Sequence, residues 1–257
     1  MGRVQGEVAI VTGGAEGIGR GIADVLAEEG ASVAILDVNA ERGASSADEI
    51  ASATGAATRF VECDVGVEQA VEGAVADVAA SLGRPTVLVN NAALFLFRGI
   101  EATPEEWSRI VAVNIIGPAL MAKHVVPHMR EAGSGAIVNI GSVSSFIAQK
   151  GFLTYSATKG AIAEMTRCMA LDLADDGIRV NGVCPGAVWS ATVQRMAREA
   201  GATREELAQR TNLGLEQMIR RIADPREIGY AVAFLASAEA AFITGENLMV
   251  DGGWTAQ

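Results

Sequence analysis

Short unbroken apolar runs alternate along this chain with longer stretches in which apolar residues recur every three or four positions. The first run, Val8-Ala9-Ile10-Val11-Thr12, lacks polar alternation, which predicts a strand buried on both faces of a parallel sheet. It breaks into Gly13-Gly14-Ala15-Glu16-Gly17-Ile18-Gly19, and a helical pattern then runs to Glu29, with Gly30 as its cap. Further strands are predicted at 32–36, 58–62, 86–90, 136–140, 179–184 and 247–250. Helical periodicity fills 41–53, 67–82, 103–130, the stretch from Tyr155 to about 173, and 226–236. The helix over 103–130 opens on a capping-box sequence, Thr103-Pro104-Glu105-Glu106, and Pro118 and Pro127 should kink it. Between 188 and 224 only amphipathic helical pieces appear, joined at Gly201 and Gly214. Six βα units in series predict a doubly wound α/β fold in one domain over 1–257, a parallel sheet of about seven strands with right-handed crossovers. The 188–224 insertion follows the carboxyl end of a strand, where such folds place ligands and lids.

Composition narrows the setting. Half of the residues are apolar, enough for a sizeable core, and the net charge of −11 disfavours a nucleic-acid partner. Cys63, Cys168 and Cys184 show no CxxC spacing, which argues for a reducing compartment. The N-terminus runs almost directly into the first strand without a secretory leader, and Gly6 stands where myristoylation wants Ser or Thr. No uninterrupted apolar run approaches the ~18 residues of a membrane span. A cytoplasmic protein free of nucleic acid and membrane is therefore expected. His124 and His128 are four apart, but Pro127 disturbs the turn between them and no third ligand suggests itself, so no metal site is expected. Seven arginines lie between Arg195 and Arg226, interleaved with acids such as Glu199, Glu205, Glu206 and Asp224. They read as a solvated helix surface.

Two constellations carry chemistry. In the first βα turn, Gly13 allows a tight reversal, Gly17 lets backbone approach a pyrophosphate, and Gly19 lets helix pack on strand, with free N–H groups at the helix start. Asp37, at the end of the second strand, is placed to accept hydrogen bonds from an adenosine ribose. A carboxylate there binds a 2′-hydroxyl and repels a 2′-phosphate, and Glu16 adds a second negative charge; both favour NAD(H) over NADP(H). The second constellation is Tyr155-Ser156-Ala157-Thr158-Lys159, whose tyrosine and lysine stand one helical turn apart on one face. An ammonium ~4 Å from a phenolate favours ionisation by ~4 kcal/mol at an effective dielectric of ~20, so Lys159 is expected to lower the Tyr155 pKa.

From end to end the chain resembles the short-chain dehydrogenase/reductase family. It carries Thr12-Gly13-Gly14-Ala15-Glu16-Gly17-Ile18-Gly19 for the family's T-G-x-x-x-G-I-G, Asp64-Val65 for its adenine-contacting pair, and Asn90-Asn91-Ala92-Ala93 for N-N-A-G. Asn114, Ser142, Tyr155 and Lys159 follow the order and spacing of its catalytic tetrad. Pro185-Gly186-Ala187-Val188-Trp189-Ser190 looks like P-G-x-V-x-T, and 245–253 looks like the closing segment. The resemblance implies a Rossmann-type fold and a role for each residue. Tyr155 would be the general acid or base, and Ser142 would hydrogen-bond the substrate oxygen. Lys159 would lower the tyrosine pKa and grip the nicotinamide ribose, and Asn114 would bind a water linking Lys159 to solvent. Gly13, Glu16, Gly17, Ile18, Gly19, Asp37, Asp64, Val65, Asn91, Ala92, Pro185, Gly186, Val188 and Ser190 would contact the cofactor. Ala93 and Ser190 depart from the family's glycine and threonine.

Leu94-Phe95-Leu96-Phe97, with Phe146, Phe152, Leu153 and Trp189, all follow carboxyl ends of strands, where core demands are weaker, and are expected to line an apolar substrate pocket. The helix from Tyr155 onward has few residues made for water, and the family commonly pairs it between subunits; a homotetramer is expected. The reading is an NAD-dependent dehydrogenase or ketone reductase for an apolar, cyclic or bulky secondary alcohol. A 3-oxoacyl-thioester reductase is the alternative among enzymes, although those usually prefer NADPH. A catalytically silent dinucleotide sensor would usually have lost the tyrosine or lysine, and a methyltransferase would leave the Tyr155–Lys159 pair without a purpose.

Overall fold

The first apolar run forms β1 (Val8–Thr12), buried at every residue because the sheet is covered on both sides. The computed structural model describes residues 2–257. Beside β1 stand β2 (Ser32–Asp37), β3 (Thr58–Glu62), β4 (Val87–Asn90), β5 (Gly135–Ile140), β6 (Ile178–Pro185) and β7 (Asn247–Val250), in one sheet ordered β3-β2-β1-β4-β5-β6-β7. Every pairing is parallel. All strands therefore end at the same edge, and the chain changes winding direction between β1 and β4. That reversal leaves a crevice at the carboxyl ends, where ligands of such sheets bind.

Alternation along each strand sorts side chains between the two faces. Ala9, Val11, Val33, Ile35, Val87 and Val89 meet Ile22, Leu26, Ile50 and Val232 from α1 (Gly17–Glu28), α2 (Ala40–Thr54) and α9 (Pro225–Ala236). Ile10, Leu36, Leu88, Ile137 and Val180 meet Val75, Val78, Met121, Val125 and Leu173 from the opposite layer. That layer comprises α3 (Glu68–Ser81), α4 (Pro104–Val111), α5 (Gly117–Ala132) and α6 (Leu153–Leu173).

The predicted long helix is interrupted, and the interruption matters for the site. The capping box forms as expected, with Glu106 N–H donating to Thr103 Oγ1 and Thr103 N–H to Glu106 Oε2. Between α4 and α5 a π turn spans Ala112–Ile116, and Pro118 follows at the start of α5. Pro118 has no N–H to offer the carbonyl four residues back, that of Asn114, so a regular α-helical ladder cannot pass this point. Pro127 lies inside α5. By length and composition the Pro104–Ala132 stretch could cross a membrane, an 18-residue window within it having a mean hydropathy of 1.5, which uninterrupted runs alone did not reveal. Here Met121, Val125 and Met129 pack fully buried in the sheet-facing core, and Ile110 is fully buried as well. The 188–224 insertion holds α7 (Ala191–Glu199) and α8 (Arg204–Thr211), then irregular chain. A bridge between Val188 and Ala223 closes its base over the crevice.

Candidate active site

At the end of β1 the chain reverses through Gly13, whose φ of +63° suits glycine. A Cβ at Gly19 would stand 2.1 Å from the Gly13 carbonyl oxygen, and one at Gly17 2.7 Å from Ala191 N. The turn is braced from β4. Asn91 Nδ2 donates to the carbonyls of Thr12 (2.9 Å) and Gly13 (3.0 Å), while the N–H groups of Asn91 and Ala92 both donate to Thr12 Oγ1. Asn91, expected on a cofactor ribose, thus spends both amide protons on the glycine turn and keeps only its oxygen for a ligand.

Over this turn opens a cleft of about 420 Å³, lined by Gly13, Glu16, Gly17, Ile18, Gly19, Asp37, Asp64, Val65, Asn91 and Ala92. Asp37 Oδ2 accepts from Ala15 N–H (3.1 Å) and Oδ1 from Asn39 N–H (3.0 Å), which fixes the carboxylate and leaves lone pairs for further donors. Arg20 is paired with Asp24 and Glu49, and Arg42 with Glu49, so neither guanidinium is free to answer a phosphate beside Asp37. A space without Cβ atoms, N–H groups at a helix start and a fixed acceptor carboxylate together fit a dinucleotide.

A second cleft of about 370 Å³ adjoins the first, and Ile18, Asn91, Ala93, Phe95, Ser190 and Thr192 border both. Ser142, Tyr155 and Lys159 line it, as do Pro185, Gly186 and Val188. Ser142, just past β5, accepts a hydrogen bond from Ser144 N–H (3.1 Å), which leaves its own proton to donate. Phe95 stacks on the Tyr155 ring at 5.4 Å between centroids, and Phe97 meets the ring edge-on at 5.4 Å.

The electrostatics depart from expectation. Lys159 Nζ donates to the Ile140 carbonyl at 2.6 Å and lies 5.7 Å from the centre of the tyrosine ring. Burial pushes the Tyr155 phenol above its ordinary pKa, with a hydrogen bond from Ser142 pulling the other way, so the expected lowering by Lys159 is not realised in this geometry. Burial also lowers the Lys159 ammonium to about 8. Both shifts have one cause, the removal of water from charged forms.

Asn114 is the tetrad member farthest from its expected task. Its Oδ1 accepts from Leu94 N–H (2.7 Å), and its Nδ2 donates to Leu94 O (3.1 Å) and Thr158 Oγ1 (3.1 Å). The side chain is committed to protein partners, so a water linking Lys159 to solvent cannot rest on this amide's protons. The π turn carries Asn114 inward, to 2% exposure, where it pins the Leu94 loop to α6.

Of the expected substrate contacts, Phe95, Phe97 and Phe152 line the second cleft, and Leu94 borders the first. Leu96, Phe146, Leu153 and Trp189 line neither. Phe146 and Leu153 are nearly half exposed, at the end of a 3₁₀ turn and the start of α6, and Trp189 lies under the Arg204 guanidinium at 5.7 Å. The rest of the apolar wall comes from Val143, Val193, Met196, Leu213 and Trp254. Trp254 had no local signal beyond following the closing glycines. No lid arginine lines either cleft; Arg221 pairs with Glu227, and Arg226 with Glu28.

Comparison with known proteins agrees with this geometry. A family model described as enoyl-(acyl carrier protein) reductase matches residues 13–255. Cyclopentanol dehydrogenase of Comamonas sp. (strain NCIMB 9872) is 39% identical over 257 residues, covering 100% of both chains. Cis-4-hydroxycyclohexanecarboxylate dehydrogenase of Sinomonas cyclohexanicum is 39% identical, covering 97% of this chain and 96% of its own. A crystal structure described as a short-chain alcohol dehydrogenase, from Sinorhizobium meliloti 1021, superposes with a TM-score of 0.90 at 31% identity, covering 98% of each chain.

Proposed function

The chain belongs to the short-chain dehydrogenase/reductase family and is an oxidoreductase acting on CH–OH groups; from that premise we propose that it transfers hydride between NAD(H) and an apolar, cyclic or bulky secondary alcohol or its ketone. The observation that carries this reading is the adjacency of the two clefts. Ser142, Tyr155 and Lys159 lie in an aromatic cleft that opens onto the glycine turn and Asp37. The nicotinamide, when bound, supplies the hydride chemistry. The chain's part is to position and to move a proton. Ser142, oriented by the Ser144 N–H it accepts, turns its one proton from Tyr155 to the substrate oxygen. Tyr155 keeps its proton until the developing alkoxide takes it in ketone reduction and recovers it in the reverse direction. Lys159 supplies positive charge beside them, Asn114 holds the loop before Phe95, and the aromatic wall excludes water.

The committed Asp37 carboxylate and the paired Arg20 and Arg42 favour NAD over NADP; equal kcat/KM with the two cofactors would refute that preference. The relatives' named substrates, cyclopentanol and a hydroxycyclohexane acid, favour a ring-sized alcohol. The 3-oxoacyl-thioester alternative draws on the family model's description. Against it stands a cleft with a single lining cation, Lys159, already bonded to Ile140. A cytoplasmic homotetramer completes the reading, supported by an exposed α6 surface that includes Leu171 at 82%; light scattering showing a monomer would remove it. The test of function is NADH formation at 340 nm across secondary alcohols, with Tyr155→Phe as control. A control that retains full activity overturns the assignment of Tyr155.

A further inference from the structure

The second cleft has two unlike sides. Phe95, Phe97, Phe152, Met196 and Trp254 give it an apolar wall. The stretch after β5 gives it a polar edge that continues past Ser142: Ser144 and Gln149 also line the cleft, and the proposed proton transfer uses neither side chain. Ser144 is 5% exposed. Its backbone N–H holds Ser142 Oγ, and its hydroxyl donates to Gln149 Oε1 at 2.5 Å. One residue thereby fixes both the catalytic hydroxyl and the glutamine amide. With Oε1 taken by Ser144, the Gln149 Nε2 group has two protons to give. Among the described residues it has no hydrogen-bond partner.

Resting on the dehydrogenase reading above, we propose that Gln149 is a specificity-determining donor, and that the preferred substrate is a secondary alcohol carrying a second, uncharged acceptor oxygen: a hydroxyl, ketone or ether. A donor held on the wall of a largely apolar cleft is left unpaired when a plain hydrocarbon ring closes over it, and this discriminates against substrates lacking the second oxygen. The second group is uncharged because the cleft's single lining cation, Lys159, is already bonded to the Ile140 carbonyl. The ring carbons would lie on the aromatic wall while the two oxygens face Ser142 and Gln149.

The experiment compares kcat/KM for cyclohexanol with that for the cis and trans isomers of cyclohexane-1,2-diol and cyclohexane-1,3-diol, in the wild type and in Gln149→Leu. The wild type should prefer at least one diol by about tenfold, as expected for one neutral hydrogen bond, and Gln149→Leu should bring that ratio close to one. Gln149→Glu, which can still accept from Ser144 but cannot donate to the substrate, should lower the ratio as well, and it stands in if the leucine variant fails to fold. A wild type that prefers cyclohexanol to every diol overturns the proposal. So does a diol preference that survives both substitutions, or variants that lower all alcohols by one common factor. If the wild type reduces NAD with none of these alcohols, the failure belongs to the parent reading; turnover of cyclohexanol without a diol preference counts against Gln149 alone.

Discussion

Replacing Lys159 by methionine keeps an unbranched apolar stem and removes a charge that the fold has taken out of water. Burial places the folded-state pKa at about 8, against 10.5 for the exposed group. Below about pH 8 the lysine is protonated in both folded and unfolded chains, and the folded state bears the whole cost of the buried charge. As pH rises through this value, the folded protein releases the proton before the unfolded chain does, so the stability attributable to Lys159 increases with pH. At ~1.4 kcal/mol per unit, the gain between pH ~7 and ~9.5 is ~2 kcal/mol, rising toward ~3 kcal/mol above pH ~10.5. Cys63 and Cys184, each raised to about 11 by burial, act in the opposite sense above pH ~8.5, as does Tyr155 near pH ~10, because their unfolded forms ionise first. Cys63 and Tyr155 are unaffected by Lys159 and cancel in the difference; Lys159 lowers the Cys184 thiol, so its removal leaves that thiol higher still and protonated in both folded proteins below pH ~9.5. Urea unfolding of wild type and Lys159→Met at several pH values between ~7 and ~9.5 should show the difference moving toward the wild type by ~2 kcal/mol. A difference that stays flat, or moves toward the variant, refutes the buried-ammonium argument.

Gly19→Ala would place a methyl 2.1 Å from the Gly13 oxygen and 2.5 Å from Asn91 Nδ2. Overpacking and loss of Asn91's two bonds to the turn should together cost ~2–4 kcal/mol in urea unfolding, and calorimetry should show NAD binding weakened at least tenfold. Asp37→Ala frees the N–H groups of Ala15 and Asn39 and removes the acceptor for a 2′-hydroxyl. The NAD-to-NADP ratio of kcat/KM should fall at least tenfold, and an unchanged ratio would show that the preference lies elsewhere. Tyr155→Phe should retain NAD affinity while losing ~10²–10⁴ in kcat, as removal of a positioned proton donor does. Lys159→Ala should weaken NAD binding and rate together.

Much of the fold was legible because its signals are local. Unbroken apolar runs marked the central strands β1, β2 and β4, which are covered on both faces, and the edge strands Thr58–Glu62 and Asn247–Val250, only partly buried, still matched their predicted limits. Thr103 and Glu106 announced the start of α4 through a capping box that needs no tertiary partner. The glycine turn was equally readable, since Gly13 answers to a backbone angle and Gly19 to a contact within the same turn. The family resemblance added what no local rule contains, the order of Asn114, Ser142, Tyr155 and Lys159.

What sequence spacing could not decide was direction and partner. Four residues on a helix bring Tyr155 and Lys159 to one face, but whether the ammonium meets the phenolate or the Ile140 carbonyl depends on β5, fifteen or more residues earlier in the chain. Burial then raises the tyrosine pKa where pairing alone would have lowered it. Asn114 was legible as a site residue, yet its partners Leu94 and Thr158 come from two other parts of the chain, and the π turn over Ala112–Ile116 delivers it to them. Trp189 and Trp254 show the same limit for the substrate cleft. The first is drawn away by Arg204, and the second is brought in by the chain's final turn, because only the packed sheet edge determines which aromatic faces the crevice.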